Sequence, residues 1–308
     1  KVGVKTFQEA VKIYIQKNAY QNVTTEDFLK EIAKKSDFDV VNFQKKWLES
    51  SQLPLEEMLA LLKENQFIKD YFSLLNLQTV PFAEKEQKLH QFMAMESFYP
   101  LQAEVLYQIN TVNWAQKKEL IFKGFQHPSL QVRQTLAQTL ADIPEEIKPQ
   151  YETLLNDASY ITQEIALGTL WSKFPNDQKK YLEISKNWNG FNDKNLRILW
   201  LTLALMTPDY ETSKKPLFYD ELLNYASEKY ESVVRQNALT NLLYLNPRDE
   251  NVMRYLIQAT THHKWQFTLF ARNQIKALAK NEAHLNFFKK MEATLSEAEQ
   301  LQLRKILE

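Results

Sequence analysis

Five histidines, His90, His127, His262, His263 and His284, are the first residues to test for chemistry, because imidazole serves both as a general base near neutral pH and as a common metal ligand. None sits in an H-E-x-x-H helix or at another two-ligand zinc spacing. His262 and His263 are adjacent. On a helix their rings would diverge by about 100° and could not share a metal, so a solvated helix end is expected there. His127 precedes Pro128 and needs only a turn role. Carboxylates cluster as Glu56-Glu57, Glu145-Glu146 and Asp249-Glu250, where first turns of helices would use them against the macrodipole. No G-x-S-x-G elbow, G-x-x-x-x-G-K-[ST] loop or kinase signature occurs. No residue of this sequence is therefore assigned a catalytic, cofactor-binding or metal-ligating role.

Two other sets invite a functional reading. Arg133, Arg197 and Arg235 recur at one position of a repeating pattern. Such arginines either pack their stems between layers and bond a neighbouring turn, or form a ladder of cations on a concave face; the first reading is preferred. The six tryptophans, Trp47, Trp114, Trp171, Trp188, Trp200 and Trp265, could make a peptide-binding stripe, but helical spacing places them in a core.

The elements that must carry these residues are helices. Only four glycines occur in 308 residues, and no cysteine. Hairpins and phosphate loops draw on glycine, while disulfides, thiolate zinc sites and cysteine nucleophiles need cysteine. Lys+Arg and Asp+Glu are equal at 38 each, which gives no electrostatic reason to expect nucleic acid or an anionic membrane. No apolar run approaches the ~20 residues of a membrane span. The first residue is Lys1 rather than Met, so a processed product or an excised fragment is expected, with no compartment assigned.

Phe7, Ala10, Val11, Tyr14 and Ile15 fall on one helical face. Thr24 to Asp27 reads as a helix start, with Phe28 and Ile32 buried behind it. A third helix is expected from Val40 to Ser50, a new one from Pro54, and two over Leu55–Leu75. The break around Thr79-Val80-Pro81 marks an architectural boundary between Ser51 and Pro81, after which the pattern becomes regular. Beyond Pro100, helices alternate with short turns marked by prolines, and Ser296-Glu297-Ala298-Glu299 opens the last helix as a capping box. No segment alternates as a strand would.

One unit recurs. Aligning Val132, Ile161, Leu196, Val234 and Phe267 gives steps of 29, 35, 38 and 33 residues, each followed by an apolar face such as Leu136, Ala137 and Leu140. A pair of helices cannot bury its apolar faces alone, so neighbours must stack. The V-R-x-x-[A/L] core resembles the second helix of a HEAT-type repeat. Variable steps and a missing glycine pattern speak against tetratricopeptide repeats. The expected fold is all-α: an α-α superhelix of HEAT/armadillo-like helix pairs preceded by a small helical segment.

The first fifty residues are more specific. They read V-G-x-x-x-F-x-x-A-x-x-x-Y at Val2, Gly3, Phe7, Ala10 and Tyr14, then Y-x-N-x-T-x-x-D-F at Tyr20, Asn22, Thr24, Asp27 and Phe28. Ser36, Asp39, Phe43, Trp47 and Pro54 close the run. This resembles the end of the catalytic domain of M1-family zinc aminopeptidases (aminopeptidase N-like gluzincins). The match covers Gly3–Pro54, about a sixth of the chain, mainly in packing residues. The resemblance implies residues 1–54 as terminal helices of the catalytic domain and 55–308 as the HEAT/armadillo-like C-terminal domain. The family's H-E-x-x-H site and G-x-M-E-N motif are absent, and no catalytic residue can be carried over. Many members place a β-sandwich after this segment; helices follow here, as in three-domain members. Zinc would then belong to the full-length parent and no cofactor to this chain. The expected partners are the parent's N-terminal and catalytic domains and peptide substrates, without nucleic acid or a membrane span. The competing expectation is a free-standing HEAT-like scaffold that binds a protein or peptide on its concave face.

Overall fold

A computed structural model describes residues 1–140 and 142–308. By internal contacts the chain divides into two compact units, Lys1–Leu75 and Asn76–Glu308. No described residue lies in a strand.

The first unit contains α1 (Val4–Lys17), α2 (Thr25–Ala33), α3 (Val40–Phe43), α4 (Leu55–Leu62) and α5 (Gln66–Leu75). A π-helical turn, Gln44–Leu48, extends α3. At the start of α2 the Asp27 carboxylate accepts from both the Thr24 N–H and the Thr24 hydroxyl, each at 2.9 Å. These bonds hold the Asp27 carboxyl below its usual range. Phe28 packs edge-on against Phe7 and Tyr14, with ring centroids 6.0 and 5.3 Å away. The expected stripe of α1 is only partly covered: Ala10 is fully buried, whereas Phe7 and Ile15 are exposed. The division at Leu75 lies inside the Ser51–Pro81 break but beyond Pro54, so α4 and α5 group with the first unit rather than with the array. Pro54 starts a helix without ending the packing: on α4, Glu57 pairs with Lys1 and Lys46, and Leu61 shares a cavity wall with Phe28.

The second unit is a run of helix pairs. They are α6 (Phe82–Ala94) with α7 (Pro100–Gln108), α8 (Trp114–Gln126) with α9 (Leu130–Thr139), and α10 (Lys148–Glu152) with α11 (Tyr160–Lys173). The run continues with α12 (Gln178–Ser185) and α13 (Asn195–Met206), then α14 (Lys215–Tyr225) and α15 (Ser232–Leu245). It ends with α16 (Glu250–Ala259) and α17 (Trp265–Leu278), then α18 (Glu282–Met291) and α19 (Glu297–Leu307). Each second helix packs on the next, from α7 through α9, α11, α13, α15 and α17 to α19. Beyond α6 against α8, the first helices of successive pairs touch far less. The second helices therefore form the more closely packed layer of the stack. This is the HEAT-like architecture that the repeat implies.

The core runs along that layer. Val132, Leu196, Val234 and Phe267 are buried as aligned, but Ile161 is 50% exposed and Thr162 beside it is fully buried. Thr162 stands three residues after the capping Ser159, as Val132 does after Ser129, Val234 after Glu231 and Phe267 after Lys264. In these four helices the third residue after the cap faces the core, whereas in α13 the buried Leu196 stands two residues after Lys194. The repeat therefore passes through Thr162.

A recurring clasp joins each second helix to the chain before it. Arg133 Nη1 donates to His127 O at 2.6 Å, Gln163 Nε2 to Leu155 O at 3.3 Å, and Arg197 Nη1 to Lys186 O at 3.0 Å. Arg235 Nε donates to Ala226 O at 3.2 Å, and Thr268 Oγ1 to His262 O at 2.8 Å. Carbonyls near the end of a helix lack intrahelical partners, and these donors satisfy them. The outer layer is bridged by polar side chains instead. Tyr181 donates to Glu152 at 2.9 Å, Tyr210 to Glu183 at 2.7 Å and Tyr219 to Asp249 at 2.9 Å. Burial and the neighbouring carboxylates push all three phenols well above their ordinary range.

Candidate functional site

The structure separates the residues that the sequence nominates for chemistry. His262 and His263 lie in the turn between α16 and α17, not on a helix. Their rings therefore stack at 4.2 Å rather than diverge. His262 Nδ1 accepts from the Lys264 N–H at 3.0 Å, and burial, followed by the His263 charge, lowers its pKa. His127 Nδ1 accepts from the Ser129 N–H at 3.1 Å, the turn role expected of it. His90 contacts Lys123 Nζ at 3.1 Å. Among the described residues no group of three or more His, Asp or Glu side chains is placed to hold a metal ion.

The acidic pairs cap and bridge. Asp249 accepts from the N–H groups of Asn251 and Val252 at 2.8 and 3.1 Å, which starts α16. Glu146 accepts from the Trp114 indole. The arginine heads bond the turns of their own pairs, and two of them also reach carboxylates of the next pair rather than forming a free ladder of cations. Arg133 also reaches Asp157 at 2.5 Å, and Arg197 reaches Glu221. Arg197 and Arg235 stack on Trp200 and Phe267 at 4.6 and 5.2 Å. Of the tryptophans, Trp200 is the core residue expected, donating to Leu182 O at 2.8 Å. Trp265, by contrast, is 67% exposed.

Two of the concavities among the described residues bear on function. In the first unit an apolar hollow of about 290 Å³ is lined by Phe7, Phe28, Phe38, Phe43, Trp47 and Leu61, among others. In the second, a groove of about 470 Å³ crosses the N-terminal ends of α9 and α11 and the turn before α13. Its walls are Leu130, Tyr160, Ile161 and Phe191, and its polar edge includes Gln131, Gln134, Glu164, Asp193 and Asn195. Tyr160 and Phe191 stack with centroids 6.3 Å apart and planes 30° apart.

Asn195 holds this groove together. Its Nδ2 donates to Glu164 Oε2 at 2.5 Å on α11, and its Oδ1 accepts from the Phe191 N–H at 3.3 Å. Its own N–H donates to Asp193 Oδ1 at 3.3 Å. The turn closes through Gly190 at φ +85°, where an added Cβ would lie 2.2 Å from Asn195 Oδ1. Sequence reasoning passed over these residues. A signal did exist, because Leu130, Tyr160 and Trp265 each occupy the first position of a second helix.

No protein-family profile matches the chain, and no curated protein matches its sequence.

Proposed function

We propose that this chain is the C-terminal portion of an M1-type zinc aminopeptidase, with its helical array covering the cleft and restricting or positioning peptide substrates. One observation carries the reading. The first unit leaves Val4, Phe7, Ile15, Tyr20, Val41 and Leu48 exposed, in the segment whose motif resembles the end of that family's catalytic domain. Few of its apolar side chains are fully covered: Ala10, Leu29, Ile32 and Leu74 among the described residues. So many exposed apolar side chains beside so small a core support the reading, because the remainder of a catalytic domain would cover them.

Under this reading zinc and its ligands belong to the parent's catalytic domain. The chain's contribution would be steric and positional: a wall that excludes water and orients a peptide. The purified chain with added zinc is expected to leave an aminoacyl p-nitroanilide intact, and hydrolysis above the buffer rate would overturn the assignment. The decisive observation is the reading frame upstream of the codon for Lys1. It should encode G-x-M-E-N and then H-E-x-x-H with a downstream glutamate, and their absence would sink the proposal.

A second reading is a free-standing HEAT-like scaffold that binds a protein or peptide. The exposed groove across α9, α11 and the turn before α13 favours it. Peptide binding by the chain with no zinc motif upstream would select it.

A further inference from the structure

We propose that the groove at the N-terminal ends of α9 and α11 is a docking site for an extended basic peptide segment, which places an Arg or Lys side chain between the Tyr160–Phe191 rings and the carboxylates of Glu164 and Asp193. The inference stands on the groove alone and does not require a peptidase upstream.

The walls suit the stem of such a side chain. Tyr160 and Phe191 are 46% and 64% exposed, yet stack on each other. Exposed aromatic faces of this kind attract cations through the ring quadrupole, and a guanidinium also stacks on them. The charge is complementary as well. Glu164 and Asp193 line the groove, and no Lys or Arg does. Each carboxylate spends one oxygen on Asn195 and keeps the other without a partner among the described residues. Lys194, next in sequence, donates to Asn189 Oδ1 at 3.2 Å. Helix N-termini oppose a cation, but each amounts to roughly half a charge that fades within a turn. Two full carboxylate charges outweigh them, and in α11 the Ser159 hydroxyl already accepts from the Thr162 N–H.

The edge continues past the groove. Val233 at the start of α15, and Trp265 and Leu269 on α17, are exposed at related positions. Packed helices stand 8–10 Å apart, as a rough guide, and an extended chain advances about 3.3 Å per residue. A peptide along this edge would meet a new helix about every third residue, with the basic side chain at α11.

The test uses the full chain and fluorescein-labelled octapeptides that differ only in a central Arg, norleucine or Glu. Anisotropy is read at about 100 mM salt, where the screening length is about 10 Å. The Arg peptide should bind roughly tenfold or more tightly than the Glu peptide. Glu164→Gln, which preserves an acceptor for Asn195, should bring the Arg peptide toward the norleucine value. Phe191→Ala should weaken it with an unchanged melting curve. The proposal is overturned if the Arg peptide does not bind, if the Glu peptide binds equally well, or if both variants bind as the parent does. An upstream zinc motif has no bearing on these outcomes, so this inference and the peptidase reading fail separately.

Discussion

Arg197 and Glu221 meet fork to fork across α13 and α14, with Nε to Oε1 at 2.7 Å and Nη2 to Oε2 at 2.6 Å. The same guanidinium donates to Lys186 O and stacks on Trp200. One side chain thus ties together a helix, the following helix, the preceding turn and the core.

Removing that head should cost more than removing its charge elsewhere. Arg197→Met is expected to destabilise the chain by about 1–3 kcal/mol, because Glu221 and the Lys186 carbonyl lose a charged donor in a half-buried setting. Arg197→Lys should recover only part of this, since an ammonium cannot make the paired bonds. Urea unfolding would show a lower midpoint at unchanged slope. Equal stability of the parent and the Met variant would refute the clasp.

The same pair predicts a pH dependence. The Arg197 hydrogen bonds hold the Glu221 pKa below its ordinary 4.5, and Glu221 in turn raises Arg197. A depressed carboxylate pKa contributes stability that is fully present above the unfolded value and is lost as pH falls through the folded one. The advantage of the parent over Glu221→Gln should therefore hold from pH 7 to about pH 5 and then shrink. Paired urea midpoints across that range would check it, and an advantage that grows on acidification would contradict it.

Gly190 is predicted to tolerate no side chain. Its φ is +85°, and a Cβ would meet Asn195 Oδ1 at 2.2 Å and the Leu196 N at 2.9 Å. Gly190→Ala should cost about 1–3 kcal/mol from backbone strain, with the contact added to it. It should also release Phe191 from Asn195. Thermal denaturation gives the first effect, and loss of Arg-peptide binding gives the second. A fully stable Gly190→Ala chain would count against the described turn.

The exposed face of the first unit gives a fourth expectation. Val4, Ile15 and Val41 are exposed in the described structure. Ile15→Gln with Val41→Gln should lower binding of an apolar dye while stability stays within about 0.5 kcal/mol, as for exposed positions generally. A large loss of stability would mean that these side chains are packed after all.

The order of helices was readable in the sequence because caps, prolines and apolar spacing act over a few residues. Thr24-Asp27 and Ser296-Glu299 both form capping boxes, and the five repeated segments are all second helices of pairs. What a residue does within a repeat was less legible. Arg133, Arg197 and Arg235 bond neighbouring turns as the preferred reading held, but Ile161 and Thr162 exchange places. One residue of slip turns a side chain by about 100°, and apolar identity alone could not choose between them. The grouping of α4 and α5 with the first unit was equally hidden, since Pro54 marks where a helix starts and not what it packs against.

Local rules, written in neighbouring residues, determined that this chain is helical, paired and repetitive, and that it contains no familiar catalytic motif. Only the tertiary structure decided that Tyr160, Glu164, Phe191 and Asp193 share one groove. Their meeting depends on α11 lying beside the turn before α13, on Gly190 bending that turn, and on Asn195 fastening it to Glu164. These contacts span some thirty residues of sequence, and they come from the stacking of helix pairs, which no local spacing encodes.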